Sequence, residues 1–299
     1  MIPLISSLAY GPLQVLQLPR TWWKVLLRKA DLLDEEYPDC SPGLDSKVID
    51  ALGLDKEAVL AYLRDNLPDY LTFEAWVVEQ CGGAIDRQAA DAWNESVRNR
   101  QHAPHKIEET YNDIGWDQAK VDVTSAMILN ATQDWQLFYR RDLDADYSRF
   151  GNKVVPLVSN LDFGRLGVAQ LPRTWYKILM RSKNLLHPDY PDMTKSGLDP
   201  RVLELLGVKP DSAVAYIRKE QPDYVTFEGW ILEQAGGELD QKAIKKWNDY
   251  LDVREHQGEK QAGILKAIGR EDDTALTSAA ILNMTEDFHY AYQQLMENA

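Results

Sequence analysis

After Pro19 the apolar positions Trp22, Trp23, Leu26, Leu27, Ala30 and Leu33 recur at i, i+1, i+4, i+5, i+8 and i+11. That spacing is the stripe of one buried helical face, and Pro19 suits the first turn of such a helix. Trp175, Tyr176, Leu179, Met180 and Leu186 repeat the stripe further on. Between them the pattern predicts a short helix capped by Asp45 and stopped at Gly53. It predicts a second helix capped by Asp55 with Val59, Tyr62 and Leu63 inward. A third is capped by Thr72, carries Phe73, Trp76, Val77 and Gln80, and ends at Gly82-Gly83. Asp86 and Asp240 are placed to cap helices bearing Trp93 and Trp247. A last helix holds Ile128, Leu129, Trp135 and Phe138, matched by Ile281, Leu282 and Phe288. No run alternates with period two, so the expected class is all-α.

The same landmarks occur twice. Leu18-Pro19-Arg20-Thr21-Trp22 reappears as Leu171-Pro172-Arg173-Thr174-Trp175. Tyr37-Pro38-Asp39 reappears as Tyr190-Pro191-Asp192, and Pro68-Asp69-Tyr70 as Pro222-Asp223-Tyr224. Trp93-Asn94 returns as Trp247-Asn248, and Ile128-Leu129-Asn130 as Ile281-Leu282-Asn283. So long a period is a duplicated domain, not a solenoid. The polar stretch from Leu143 to Lys153 marks the seam. The expectation is two homologous helical domains, 1–146 and 147–299, packed about a pseudo-two-fold axis as a homodimer would be. The alternative is two beads on a short linker.

Composition narrows the partners. Hydrophobic residues make up 44% of the 299 and charged residues 27%, ordinary for a folded soluble chain. The formal net charge of −14 repels phosphate backbones, so neither nucleic acid nor an anionic membrane is expected as a partner. Only two cysteines occur, Cys40 and Cys81, and the second copy has Met193 and Ala235 there. A reducing, cytoplasmic compartment is expected from that usage. The apolar start, Met1 to Leu8, lacks a basic flank and recurs internally as Val155 to Leu161, so it reads as part of the fold. No apolar run approaches the roughly 18 residues that span a bilayer.

Polar residues kept in both copies are the candidates for chemistry. Arg20, Lys24 and Arg28 share a helix face at i, i+4 and i+8, and Arg173, Lys177 and Arg181 repeat it. They suit either an anionic ligand held by Arg or salt bridges within the protein. Glu79 and Glu233 follow Trp76 and Trp230 by almost one turn, where an aromatic wall would favour a general acid or base. Glu74 falls in the first turn, where its charge suits the helix dipole. His102 and His256 are proton-shuttle candidates, or ordinary hydrogen-bonded side chains. Tyr37 and Tyr190 sit in a Pro-marked loop. Asn130 and Asn283 lie in apolar helical segments, as buried hydrogen-bond groups or pocket groups. Metal-ligand spacings, phosphate loops, dinucleotide fingerprints and nucleophile elbows are absent, so neither a metal site nor a bound organic cofactor is expected.

At Leu-Pro-Arg-Thr-Trp near residue 20, Gly43-Leu44-Asp45 with Leu52-Gly53, Trp93-Asn94, Trp247-Asn248, and Leu-Asn-x-x-x-Asp at 129–134 and 282–287, each half resembles the DUF5069 domain family of bacteria. The resemblance covers most of each half and implies a compact, helix-rich domain. It brings no assigned activity and no catalytic residue, and the tandem duplication departs from the usual single domain.

These features support an expectation of a small-molecule enzyme. Arg20 and Arg173, with Lys24 and Lys177, would anchor an anionic substrate. Glu79, His102 and Tyr37, and their counterparts Glu233, His256 and Tyr190, would carry acid–base chemistry of a lyase, isomerase or hydrolase. A non-catalytic binding or interaction module is the alternative.

Overall fold

The computed structural model of the protein describes residues 1–298, and Ala299, the last residue of the second copy, lies outside the described residues. The first half comprises α1 (Leu18–Lys29), α2 (Leu44–Ala51), α3 (Lys56–Asn66), α4 (Tyr70–Gln80), α5 (Arg87–Arg98), α6 (Pro104–Ile114) and α7 (Ala126–Leu137). The second comprises α8 (Leu171–Ser182), α9 (Leu198–Leu205), α10 (Pro210–Glu220), α11 (Tyr224–Gln234), α12 (Gln241–Val253), α13 (Gly258–Ala267) and α14 (Ala279–Asn298). Among the described residues there is no β-strand, only isolated bridges such as Gln101 with Ser125. The all-α class therefore holds.

The apolar stripe of α1 is the centre of its half. Trp22 and Leu26 are wholly buried, and the Trp22 indole N–H donates to the Pro68 carbonyl at 2.9 Å. Trp175 makes the same bond to Pro222. The chain before α1 is held by α5. Leu16 N donates to Asn94 Oδ1 at 2.9 Å, and Asn94 Nδ2 donates to the Gln14 carbonyl at 2.6 Å. The apolar N-terminal segment is core, with Ile5 fully buried.

Two expected caps sit elsewhere. Asp69, three residues before Thr72, caps α4, accepting from Thr72 N and from the Thr72 hydroxyl. Gly43, not Asp45, precedes α2, because the Asp45 carboxylate is drawn inward to Lys24. Asp55, Asp86 and Asp240 cap as expected. Helices α6 and α13 were not legible in the pattern. Each buries only a few side chains, such as Tyr111 and Ile114 or Ile264 and Leu265, in a small satellite cluster.

One main apolar cluster runs through both halves. Helix α7 packs on α11, and α14 packs on α4. Trp135 meets Tyr224 edge-on with centroids 4.6 Å apart, and Phe288 meets Tyr70 at 5.2 Å. The Tyr139 hydroxyl donates to the Gln221 carbonyl, and Tyr292 donates to Leu67. These contacts of one half are returned by the other at matching positions.

Candidate functional site

Within the first half a cavity of about 310 Å³ opens between α1, the loop after it, the start of α2, the α5–α6 turn and α7. Arg20, Lys24, Tyr37, His102 and Asn130 all line it, together with Gln17, Asp45, Arg100, Lys106, Gln133 and Asp134. A second cavity of about 310 Å³ occupies the matching place in the other half. It is lined by Gln170, Arg173, Lys177, Tyr190, Asp199, Arg254, Lys260, Asn283, Glu286 and neighbours. His256 is buried beside it, its Nε2 2.8 Å from Asn283 Oδ1, as His102 Nε2 is from Asn130 Oδ1. Residues scattered over more than a hundred positions are thus gathered once in each half.

Helix geometry explains the floor. Arg20 and Lys24 are one turn apart on α1 and point the same way. Arg20 Nη1 donates to the Pro3 and Ile5 carbonyls at 2.6 and 2.8 Å, and to Asp134 Oδ2 at 2.7 Å. Its Nη2 reaches Asp134 Oδ1 at 3.2 Å, completing a bidentate pair. Arg173 and Asp287 repeat this pair. The Tyr37 hydroxyl donates to Asp134 Oδ1 at 2.6 Å. Burial and the Asp134 carboxylate push the Tyr37 phenol far up, so it stays protonated with its proton committed to Asp134. Tyr190 is bound to Asp287 in the same way.

Lys24 Nζ donates to Asp45 Oδ2 at 2.7 Å. Asp45 also accepts from the Gln17 amide, the Thr21 hydroxyl, and the Ser41 amide and hydroxyl. Burial alone would raise its carboxyl, but the Lys24 ammonium and these donors hold it below the ordinary range. Burial pushes Lys24 down, partly offset by Asp45. Arg28, the third member of the cationic stripe, donates to the carbonyls of Leu33, Asp34 and Tyr37 and fixes the loop.

The unspent cations lie at the rim, and two unspent amide oxygens lie deeper. Among the described residues, no carboxylate pairs with Arg100, Arg254 or Lys260, and Lys106 has only the exposed Glu109. Gln17 Oε1 and Gln170 Oε1 are buried and accept no hydrogen bond within the described protein. Burial lowers the pKa of His102 and takes that of His256 to about 4, so both imidazoles are neutral near pH 7.

Glu79 and Glu233 are not part of this arrangement. Both are exposed near the C-terminal ends of α4 and α11, outside the cavities. The buried carboxylate of each helix is Glu74 or Glu228. Glu74 accepts from the Tyr70 hydroxyl at 2.7 Å and from Leu13 N at 3.3 Å. Burial lifts both glutamates to about 7. Among the described residues, no three His, Cys, Asp or Glu side chains converge as metal ligands, and Cys40 and Cys81 are free thiols.

Sequence reasoning left several lining residues without their roles. Asp45 and Asp134 are repeated as Asp199 and Asp287, and Arg100 and Lys106 as Arg254 and Lys260. Repetition alone therefore marked them, but their pairings cross the fold. Glu286 carried no such signal, because the first copy has Gln133 there.

No protein-family model matches the chain, and no curated protein or solved structure matches it. No helix among the described residues is long and apolar enough to cross a membrane.

Proposed function

We propose that each half binds a small anionic molecule in its polar cavity. The observation that carries this reading is that the same cationic cavity is built twice, four Lys or Arg side chains in each, on a chain of net charge −14. Arg20 and Lys24 are neutralised by buried carboxylates and shape the floor. Arg100 and Lys106, or Arg254 and Lys260, remain to meet a carboxylate or phosphate. The unpaired Gln17 and Gln170 oxygens suit a hydroxyl or amine on the same ligand.

The arrangement of the halves belongs to this proposal. The reciprocal contacts of α7 with α11 and of α14 with α4 support a pseudo-two-fold relation between residues 1–146 and 147–299. Kinship with the DUF5069 domain family rests on the repeated motifs and adds no ligand. A cytoplasmic setting is likewise proposed, from the two free thiols.

A catalytic reading, lyase, isomerase or hydrolase, is the second one. A half-buried glutamate, Glu286, lines the second cavity and supports it. Glu79 and Glu233 take no part in it.

Calorimetry and thermal unfolding with dicarboxylates and sugar phosphates test the proposal. A ligand at about 100 times its Kd adds about 2.7 kcal/mol to stability. Arg100→Ala with Arg254→Ala should remove that stabilisation while leaving the unliganded protein folded. If the double variant binds every tested anion as the parent does, the proposed site is wrong.

A further inference from the structure

The two cavities match at most lining positions; their charged linings differ at position 133/286 and at Asp189, which lines only the second. On α7, Gln133 faces the first cavity and its amide donates to Asp113 of α6 at 2.5 Å. At the equivalent point of α14 stands Glu286. The register that pairs Lys106 with Lys260 puts Ala267 where α6 has Asp113. The glutamine and its aspartate partner are thus both absent from the second half. Glu286 accepts no hydrogen bond and makes no salt bridge among the described residues, although it is half-buried.

The lining charges follow. Four cations face two carboxylates, Asp45 and Asp134, around the first cavity. Four cations face three carboxylates, Asp189, Asp199 and Glu286, around the second.

We propose that position 133/286 sets the charge of the ligand each half accepts. Gln133 lets the first cavity take a dianion, whereas Glu286 admits a dianion to the second only together with a proton. This rests on the proposed anion site and assigns its selectivity. At the second cavity the proton goes to the Glu286 carboxylate as the anion enters, and no bond within the ligand changes.

The surroundings of Glu286 agree. It is faced by Arg173 and Lys177 of α8, by Asp189 and Tyr190 of the following loop, by Arg254 at the end of α12, and by Lys260 of α13. Asp287 and Tyr290 flank it on its own helix, with His256 behind Asn283 and His187 against Tyr290. Burial and the neighbouring Asp287 raise its carboxyl, Lys260 and Arg173 oppose this, and the result is about 7. A neutral Glu286 is therefore accessible just below neutral pH.

The test is calorimetry of the full chain with sulfate, a dianion throughout the range, at about pH 6 and about pH 8.5, in buffers of different ionisation enthalpy. The expected result at the higher pH is one sulfate, lost in Arg100→Ala. At the lower pH, where Glu286 already holds most of its proton, a second sulfate binds with little uptake; its affinity falls about thirtyfold by the higher pH, where the remaining binding takes up close to one proton. Glu286→Gln should take two sulfates at both pH values with no proton uptake, and Gln133→Glu should lose the first site at the higher pH. Two equal sites in the parent at the higher pH, or a second site in Glu286→Gln still linked to a proton, would overturn the proposal. If sulfate and the larger anions bind nowhere in any variant, the anion site itself fails.

Discussion

The Tyr37 hydroxyl donates to Asp134 Oδ1 at 2.6 Å, 97 positions along the chain, and Asp134 in turn holds the Arg20 guanidinium. Tyr190, Asp287 and Arg173 repeat the triad. Because Arg20 also grips the carbonyls of Pro3 and Ile5, this cluster ties the N-terminal segment, α1 and α7 into one wall of the cavity.

Removing one partner of a buried ion pair leaves the other charge uncompensated, at a cost of about 3–5 kcal/mol. Asp134→Asn should therefore destabilise by about that amount. Tyr37→Phe should cost less, about 1.5–3 kcal/mol, the value of one hydrogen bond to a charged group. Urea unfolding of both variants and of their combination checks this. Equal losses for the two single variants would mean that the ion pair is not the anchor.

Gly11 allows a close approach. A Cβ there would lie 2.3 Å from Tyr70 Cε1 and 2.7 Å from Glu74 Oε1, and at Gly164 it would meet Tyr224 and Glu228 as closely. Overpacking of a buried site costs about 1–3 kcal/mol. Gly11→Ala and Gly164→Ala should each lower stability by that much in thermal unfolding. A neutral result would show that the Tyr–Glu pairs shift freely.

Glu74 and Glu228 have carboxyls near 7 in the fold, raised mainly by burial, against 4.5 in the free side chain. The native state therefore takes up their protons first as pH falls. Stability from these two groups rises as pH drops from about 7 to about 4.5, by about 3 kcal/mol each. Glu74→Gln with Glu228→Gln should abolish that rise while keeping an acceptor for the tyrosine hydroxyls. Denaturant titrations at stepped pH measure it, and an unchanged profile in the double variant would refute the assignment.

His256 acts in the opposite direction. Burial holds its imidazole neutral, at about 4 against 6.5 unfolded. Its contribution is complete above about pH 6.5 and is lost as pH falls towards 4, because the unfolded chain binds the proton more readily. In the parent protein this loss and the gain from Glu74 and Glu228 oppose each other between about pH 6.5 and 4.5. Once both glutamates are replaced by glutamine, a drop on acidification should emerge, and adding His256→Gln should shrink it to the part that the lowered imidazole of His102 contributes. A drop undiminished by His256→Gln would assign it to other groups.

The all-α class, the recurrence of the same motifs in both halves, the α1 stripe and three of the helix caps are legible in the amino-acid order alone. These follow from spacing along one chain, where a period of 3.6 or a proline before an apolar run acts locally. The same order also singled out Arg20, Lys24, Tyr37, His102 and Asn130, because each survives in both copies. Their roles were decided in three dimensions. Asp45 has the composition of a cap, but Lys24 lies within 2.7 Å and draws the carboxylate into the core. Glu79 has an aromatic neighbour one turn away, yet the helix turns it to the surface, and Glu74 occupies the buried face instead. Glu286 could not be found by repetition, since its significance lies in differing from Gln133. Burial, desolvation and pairing across more than twenty positions are properties of the packed chain, and they separate the charges that build the cavity floor from those left at its rim.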